Sequence, residues 1–366
     1  MDTIDIAVVG GGVTGLASAA ALAEAGYSVC VLEREPKPGM GTSTHNSGVI
    51  HGGISYPAGT LKARLCVEGR HLLYEYCEAH GIPHGRCGKI IVATTAAEVP
   101  QLEVLKMRGD DNGVEGLEIV DAAFVTAREP AVHAVAALFS PETGIVEPES
   151  LVRTLAGQVR DLGGFVLTAT PLVGAETYGD RIVLATPRER FAARWVINAA
   201  GLYADEVSAL LGGTRFRIYP CRGEYAELAP SKQHLINAAV YPLPPASGHG
   251  LGVHLVRTTW GTVLVGPTVR YQDRKDDYED SRLPLEAFVD ATRAMMPTIS
   301  ADDLRLGGSG IRAKFHPPEQ QFADFLIQRD CVNPRLVQVA GIDSPGLTSS
   351  LAIGRRVVEI VRKADP

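Results

Sequence analysis

The sequence predicts an α/β fold that combines a doubly wound nucleotide-binding domain with a second domain built on an antiparallel sheet. Two observations carry this prediction. A buried strand, a glycine-rich turn, a helix and a second strand follow one another from residue 4 to residue 33. Residues 219–267 then contain four strand-like segments in succession, rich in aromatic and polar side chains. Alternating strands and helices, like those of residues 4–33, are predicted both before and after this block. We therefore expect two interleaved domains.

The strongest local signal begins with residues 4–9, whose apolar and β-branched side chains predict a buried strand. A turn with the pattern G-x-G-x-x-G follows, then a predicted helix over 13–25 and a second strand over 28–32. In a Rossmann-like domain, Gly10 would allow the tight turn, Gly12 the approach of a pyrophosphate, and Gly15 close packing of helix on strand.

This arrangement indicates a dinucleotide cofactor. The first N–H groups of a helix attract phosphate, and Glu33, at the end of the second strand, can accept hydrogen bonds from ribose hydroxyls. Two features favour FAD: the motif lies at the very N-terminus, and the sequence contains one complete copy of it. The alternative is a glycine-rich turn in an ordinary α/β protein.

Periodicity and turn residues predict the remaining elements. Helices are expected over residues 61–80, 98–112, 148–162, 204–211, 285–296 and 351–362. Strands are expected over residues 87–94, 165–169, 181–185, 195–199, 219–228, 239–243, 252–258, 262–267 and 336–339. Loops are expected over residues 36–41, 272–282 and 340–350, and residues 304–313 should return to the first domain. These elements assign residues 1–87, 146–218 and 306–366 to the nucleotide-binding domain, and residues 88–145 and 219–305 to the second domain.

The composition is that of an ordinary globular protein. The 366 residues suffice for two domains, with 45% hydrophobic and 21% charged residues. A net charge of −7 argues against a nucleic-acid partner. No apolar run reaches the roughly 18 residues of a membrane-spanning helix, and the first strand begins too early for a signal peptide. We therefore expect a cytoplasmic location and leave contact with a membrane surface open.

The six cysteines show neither C-x-x-C spacing nor the spacing of metal ligands. We expect buried, inert thiols and no metal site.

Several stretches resemble a known family. The N-terminal motif, the N-A-A-G segment at 198–201 and the loop at 341–348 resemble the D-amino-acid-oxidase-type FAD oxidoreductases. More narrowly, residues 45–53, 59–69, 87–89, 222–225 and 252–255 resemble the L-2-hydroxyglutarate dehydrogenase/oxidase family. The resemblance spans nearly the whole chain, and HNSGVIHGG, RGEY and GVHL are its most specific stretches. The segment between 267 and 310 is shorter than is usual in this family, which predicts a trimmed helical part of the substrate domain or of a membrane- or acceptor-facing surface.

The resemblance implies a non-covalent FAD between the two domains. Its backbone contacts would include Val173 at the adenine and the N–H groups of residues 346–348 at the pyrimidine end of the flavin. The full set of expected cofactor contacts is Gly10, Gly12, Val13, Thr14, Gly15, Glu33, Arg34, Thr44, His45, Asn46, Ser47, Val173, Ala200, Gly201, Gly310, Pro345, Gly346, Leu347 and Thr348.

The implied reaction is oxidation of a 2-hydroxy acid, with L-2-hydroxyglutarate giving 2-oxoglutarate. The α-hydrogen leaves as hydride to flavin N5, and the protein must take the hydroxyl proton. A histidine suits that task, with His51 the first candidate and His254 the second. A guanidinium binds a carboxylate bidentately, and we expect Arg312 to hold the carboxylate beside the reacting carbon.

A dicarboxylate needs a second cation for its distal end. The candidates are Lys62, Arg64, Arg222 and Arg257, and each could instead be a surface charge. Tyr225 and Tyr241 are expected to line the pocket or to pack in the core.

Two other functions are compatible with the same residues. One is an amine or amino-acid oxidase of the glycine or sarcosine type, and the other is a flavin-binding protein without turnover. The electron acceptor is left open between oxygen, a quinone and another protein.

Overall fold

A computed structural model describes residues 2–245 and 250–364. Residues 1, 365 and 366, at the ends of the predicted first domain, and residues 246–249 of the second lie outside the described residues. The helices are α1 (Val13–Glu24), α2 (Leu61–Ala79), α3 (Val99–Asp111), α4 (Ala122–Arg128), α5 (Pro148–Asp161), α6 (Ala204–Leu210), α7 (Leu285–Thr292) and α8 (Gly346–Ala364).

The strands, in chain order, are β1 (Thr3–Val9), β2 (Val29–Leu32), β3 (Val49–Ile50), β4 (His84–Gly85), β5 (Lys89–Ala93), β6 (Glu118–Asp121), β7 (Ala136–Ser140), β8 (Gly144–Val146), β9 (Phe165–Leu167), β10 (Gly174–Tyr178), β11 (Arg181–Ala185), β12 (Arg190–Asn198), β13 (Tyr219–Leu228), β14 (Ala239–Pro242), β15 (His254–Arg257), β16 (Val263–Gly266), β17 (Arg270–Tyr271), β18 (Leu304–Lys314), β19 (Leu326–Arg329) and β20 (Leu336–Ala340).

The first sheet has a parallel centre, in which β1 lies between β2 and β12. β9 extends it beside β2, and β20 pairs in parallel with the second half of β12. β10 and β11 form an antiparallel extension beside the first half of β12. Helices α1, α5 and α8 cover this sheet with a shared apolar core. This is the predicted Rossmann-like domain, and the α/β fold class is confirmed.

The second sheet has the order β17-β13-β16-β15-β14-β5-β7-β6, and β18 lies on the free edge of β13. It is largely antiparallel, as predicted, but β14 pairs in parallel with β5. Strand β18 pairs with β13 along its whole length, from Leu304 opposite Leu228 to Lys314 opposite Tyr219. The domain boundary predicted between residues 305 and 306 therefore falls inside a strand of the second sheet.

The C-terminal helix begins earlier than the sequence indicates. Residues 346–350 were expected in a loop because glycine, serine and threonine are poor helix formers. They form the first turn of α8, which starts where the backbone N–H of Gly346 donates to the carbonyl of Asp343. Packing explains the difference: the turn lies against Gly69 of α2, where a Cβ would overlap the carbonyl oxygen of Thr348.

Within the described residues, no helix combines the length and the apolar character that crossing a membrane requires.

Candidate active site

A cavity of about 1040 Å³ is lined by residues of both domains. The N-terminal glycine motif and Glu33 line it on the side of the first sheet. His254 and Arg312 line it on the side of the second sheet, and His51 joins them from the loop after β3. The predicted cofactor-binding and catalytic residues therefore meet in one cavity.

The start of α1 offers this cavity a site for phosphate. Gly12 is the N-cap residue, and no side chain caps the helix through it. The N–H of Val13 donates to Ser43 Oγ at 2.9 Å, and Gly10, Gly12, Val13 and Thr14 line the cavity. A helix N-terminus favours an anion through its N–H groups and its dipole.

Glu33 is placed to bind a ribose. Its carboxylate is buried and lines the cavity. The two oxygens accept hydrogen bonds from the N–H groups of Gly11, at 2.7 Å, and Glu35, at 2.8 Å. Burial raises the pKa of Glu33, while these two hydrogen bonds act in the opposite direction. Each oxygen has a further lone pair, so the fixed carboxylate can also accept from hydroxyl groups of a ligand.

The two domains pack closely beside the cavity. Strand β18 approaches the turn at residues 42–47 so closely that a Cβ at Gly310 would overlap the carbonyl oxygen of His45. The other lining comes from the start of α8, with Pro345, Gly346 and Leu347. The start of α1, Glu33 and the start of α8 all line this one cavity, and such a set of groups fits FAD.

Most of the expected cofactor contacts line the cavity. Besides those named above, they are Arg34, His45, Asn46, Ser47, Ala200, Gly201 and Gly310.

Four expected cofactor contacts do not line the cavity. Gly15 packs against the carbonyl of Gly10, and the hydroxyl of Thr44 donates to the carbonyl of Gly39. The hydroxyl of Thr348 lies between the backbones of Val49 and His51. The side chain of Val173 is exposed and its N–H donates to Ala185, whereas its neighbours at 170–172 line the cavity. The backbone N–H of Val173 is therefore engaged in the sheet, and its contact with adenine stays a prediction.

His51 lies in a short hydrogen-bonded chain. Its Nε2 is 3.1 Å from Ser344 Oγ, which is 3.2 Å from the hydroxyl of Tyr56. Its backbone N–H donates to Thr348 Oγ1, which fixes the residue to α8. Burial lowers the pKa of His51 to about 3, and the charge of Lys89 adds to this effect. The imidazole is therefore neutral at pH 7, so that one of its ring nitrogens has a lone pair.

His254 and Tyr241 line the same cavity, and each has a buried polar atom without a hydrogen-bond partner among the described residues. Their rings stack at a centroid distance of 3.7 Å, and His254 Nδ1 is 2.9 Å from the carbonyl of Gly252. Neither His254 Nε2 nor the Tyr241 hydroxyl has a hydrogen-bond partner among the described residues, although both atoms are buried. Burial lowers the pKa of His254 to about 3. Buried polar atoms are rarely left unsatisfied, so both atoms are suited to a polar ligand.

Lys89 is a buried cation beside these groups. It lies on β5, and its Nζ is 4.8 Å from the centre of the Tyr241 ring. Only 2% of the residue is exposed, and burial lowers its pKa to about 8. Its positive charge helps to keep His51 and His254 neutral.

Arg312 is oriented from β18 by its neighbours on β13. Its guanidinium donates to the carbonyl of Thr268 at 3.1 Å. A Cβ at Gly223 would lie 2.7 Å from one guanidinium nitrogen, so the glycine of the RGEY stretch makes room for it. No carboxylate among the described residues pairs with Arg312, which leaves its fork available to a carboxylate of a ligand.

Of the four cations proposed for a distal carboxylate, only Lys62 lines the cavity. Its Nζ is 2.6 Å from the carboxylate of Asp343, which also pairs with Lys314 at 3.2 Å. Burial alone would raise the pKa of Asp343, but the charges of the two lysines hold it below its ordinary value. Lys62 is therefore already paired inside the protein.

The other three cations lie elsewhere. Arg64 is exposed on α2. Arg257 donates to the carbonyls of Gln233 and Ile236, both at 3.3 Å. Arg222 is fully buried, where it pairs with Glu224 at 3.0 Å and Asp277 at 3.2 Å. These contacts correct the expectation that the three residues bind substrate: two of them satisfy internal groups, and none lines the cavity.

The two tyrosines have the expected places. Tyr225 and Tyr241 are buried and line the cavity.

Sequence analysis missed several cavity residues. Lys314 lies two positions after Arg312, and the period of a strand places both on one face, so the second could have been found from the first. Lys89 does not line the cavity, but its charge acts on His51 and His254, and it was detectable as a charge in the otherwise apolar strand K-I-I-V-A. Asp343, Ser344 and Arg108 gave no comparable signal, because their roles depend on contacts far apart in the chain.

All six cysteines are free. No group of three or more His, Cys, Asp or Glu side chains within residues 2–245 and 250–364 is placed to hold a metal ion.

Comparison with known proteins supports an FAD site in this cavity. Residues 5–360 match the family DAO, described as FAD dependent oxidoreductase. L-2-hydroxyglutarate dehydrogenase of Homo sapiens, a mitochondrial protein, is 32% identical over 99% of this chain and 89% of its own length. The L-2-hydroxyglutarate dehydrogenase of Indibacter alkaliphilus is 31% identical over 97% of this chain and 98% of its own length.

Solved structures agree as well. The L-alpha-glycerophosphate oxidase of Mycoplasma pneumoniae with FAD bound has a TM-score of 0.91 at 28% identity, covering 99% of this chain and 95% of that one. Glycine oxidase from Geobacillus kaustophilus has a TM-score of 0.84 at 22% identity, with coverage of 99% and 95%, which shows likeness of fold alone. The chain belongs to the DAO family of FAD-dependent oxidoreductases, and its cofactor is FAD.

Proposed function

We propose that the protein oxidises L-2-hydroxyglutarate to 2-oxoglutarate. The observation that carries the proposal is the meeting, in one FAD-sized cavity, of a guanidinium without a carboxylate partner and two neutral imidazoles. The guanidinium of Arg312 suits a carboxylate, and an uncharged histidine suits the proton of an alcohol. The L-2-hydroxyglutarate dehydrogenases among its relatives support the same substrate.

Each residue has a separate task in this reaction. Bound FAD supplies the hydride acceptor. Arg312 holds the carboxylate next to the reacting carbon, which fixes the distance and angle that hydride transfer requires. His51 Nε2 takes the hydroxyl proton, and the hydroxyls of Ser344 and Tyr56 offer it a path away from the substrate. His254 and Tyr241 line the cavity as well, and we assign their unpaired polar atoms to contacts with the substrate.

An amine or amino-acid oxidase of the glycine or sarcosine type is the second candidate. Such a substrate carries an ammonium group until it loses a proton. The charge of Lys89, which helps to hold both nearby imidazoles neutral, also disfavours an ammonium ion at the same place. An alcohol carries no such charge, so this site favours the 2-hydroxy acid.

A substrate panel under anaerobic conditions separates the two functions. The purified, FAD-loaded protein is mixed with L-2-hydroxyglutarate, glycine and sarcosine, and the absorbance of oxidised flavin is followed. We expect rapid bleaching by L-2-hydroxyglutarate and slow or no bleaching by the two amines. Bleaching by an amine alone would favour the oxidase of amino acids, and bleaching by none would favour a flavin protein without turnover.

Admission of air to the bleached sample then tests the acceptor. Fast return of the absorbance would identify oxygen as an acceptor, and slow return that a soluble quinone accelerates would identify a dehydrogenase. We propose a cytoplasmic location, and co-sedimentation with lipid vesicles would test for contact with a membrane surface.

A further inference from the structure

Six lysine and arginine side chains line the cavity. They are Arg34, Lys62, Arg108, Lys275, Arg312 and Lys314. Four of them pair with carboxylates of the protein at 2.6–3.2 Å. Arg108 and Arg312 have no carboxylate partner among the residues that the structure describes. One cavity therefore contains two guanidinium groups whose charge is not balanced by an ion pair.

The second of these groups is Arg108, whose helix is tied to the loop that contains His51. It belongs to the last turn of α3, which Asn112 ties to the loop after β3: Asn112 Nδ2 donates to the carbonyls of Gly53 and Tyr56, both at 2.9 Å. The hydroxyl of Tyr56 is 3.2 Å from Ser344 Oγ, the same atom that contacts His51. The helix that carries Arg108 is thus tied to the loop that carries the proposed base.

The acidic residues that follow on α3 do not pair with Arg108. Asp110 pairs with Lys106 at 2.8 Å, and no ion pair joins Asp111 to Arg108 among the described residues. A carboxylate for Arg108 is therefore to be expected from a ligand.

A structural role for Arg108 is the simplest alternative. A basic residue in the last turn of a helix stabilises it through the helix dipole. That role requires only a positive charge near the helix end. It does not require the side chain to line a cavity, and Lys106 on the same helix shows the usual outcome, an exposed ion pair with Asp110 at 2.8 Å.

We infer that Arg108 binds the distal carboxylate of the substrate and makes the site selective for dicarboxylates. This inference rests on the proposed function, because it assigns the second charged end of the same 2-hydroxy acid. Arg312 and Arg108 then divide the substrate between them. The first holds the carboxylate at the reacting carbon, and the second recognises the far end, so only Arg312 affects every 2-hydroxy acid alike.

Kinetics on two substrates of equal chain length test this division. L-2-hydroxypentanoate carries a methyl group where L-2-hydroxyglutarate carries its distal carboxylate. Arg108→Gln should lower kcat/KM for the dicarboxylate about ten- to a hundredfold, the range for one charge-assisted hydrogen bond, and should change the monocarboxylate less than about twofold. Arg312→Met should lower kcat/KM for both substrates to a similar extent. Lys106→Gln removes a cation from the same helix outside the cavity. It is the matched control and should leave kcat/KM for both substrates unchanged.

A binding measurement keeps the test independent of turnover. Glutarate and pentanoate lack the reacting hydroxyl, and their binding to the FAD-loaded protein perturbs the flavin absorbance. Wild type should bind glutarate more tightly than pentanoate, and Arg108→Gln should remove that difference while flavin content and Tm stay unchanged. If wild type does not oxidise L-2-hydroxyglutarate but still shows this preference, the proposed function fails and the Arg108 site stands. If Arg108→Gln weakens the binding of glutarate and pentanoate equally, or weakens neither, the assignment of Arg108 to the distal carboxylate is wrong.

Discussion

At the scale of single residues, the protonation state of His51 determines how the proposed reaction depends on pH. An ordinary histidine titrates near pH 6.5. Burial lowers the pKa of His51 to about 3, so this imidazole is neutral above about pH 4. The step that takes the hydroxyl proton therefore needs no prior loss of a proton from His51.

The first prediction concerns this base. The rate of anaerobic flavin reduction by L-2-hydroxyglutarate should show no inflection near pH 6.5 in wild type, measured by stopped flow between about pH 5 and 7. His51→Ala should slow reduction about 10²- to 10⁴-fold, the usual contribution of a general base, with FAD still bound. His84→Ala, a histidine outside the cavity, is the control. Unchanged reduction in His51→Ala would transfer the role to His254.

The second prediction concerns the buried charge of Lys89. Its pKa falls from 10.5 in the unfolded chain to about 8 in the fold because burial disfavours the ammonium ion. Below pH 8 both states carry the charge, and the fold bears the full cost of burying it. Between pH 8 and 10.5 the unfolded state binds more protons, so this group makes stability rise with pH.

Lys89→Met should therefore raise the free energy of unfolding at pH 7 by about 1–3 kcal/mol, and the gain should shrink as the pH rises from 8 to 10.5. Urea denaturation of both proteins at pH 7 and pH 10 measures the difference. A variant less stable than wild type at pH 7 would show that the ammonium group has a stabilising partner that outweighs its burial.

At the scale of elements, two helix N-termini face the cavity. The starts of α1 and α8 both line it, through Gly12 and Gly346 among others. Their partial positive charges suit the phosphates and the pyrimidine end of the flavin respectively. FAD binding and the fold of the first domain therefore depend on the same backbone segments.

The third prediction tests the start of α1. In Gly12→Val the new side chain would collide with Ser43 Oγ, 2.9 Å from the position of its Cβ, and would occupy the approach of the pyrophosphate. The purified variant should be colourless or weakly yellow. At a hundredfold excess of FAD over its Kd, loss of binding removes about 2.7 kcal/mol of stabilisation, which lowers Tm. Gly157→Val, where no neighbour lies within 4 Å, is the control. Full flavin occupancy in Gly12→Val would contradict the assigned phosphate site.

Elements differed in how well the sequence predicted them. Strand β13 has the predicted bounds, since turn residues flank a long run of strand formers. The start of α8 was misplaced because its glycine and serines favour a helix only when packed against α2. Strands β6 and β7, of four and five residues, were not predicted, because strands this short give a weak periodic signal.

At the scale of the whole molecule, pairing between strands decides which charges reach the cavity. Arg312 lies opposite Cys221 and Arg222 opposite Ile311 in the β13–β18 register. Residues opposite each other share a face and successive residues alternate, so the two arginines point to opposite sides of the sheet. The sequence identified both as candidate clamps, but the face depends on a register that only the folded sheet reveals.

The most direct test of the account is the anaerobic reaction of FAD-loaded wild type with L-2-hydroxyglutarate, followed by absorbance and by assay of the product. Oxidation by hydride transfer predicts one 2-oxoglutarate formed for each flavin bleached, together with loss of bleaching in Arg312→Met. Bleaching without 2-oxoglutarate, or no bleaching of a fully loaded protein, would contradict the proposed function.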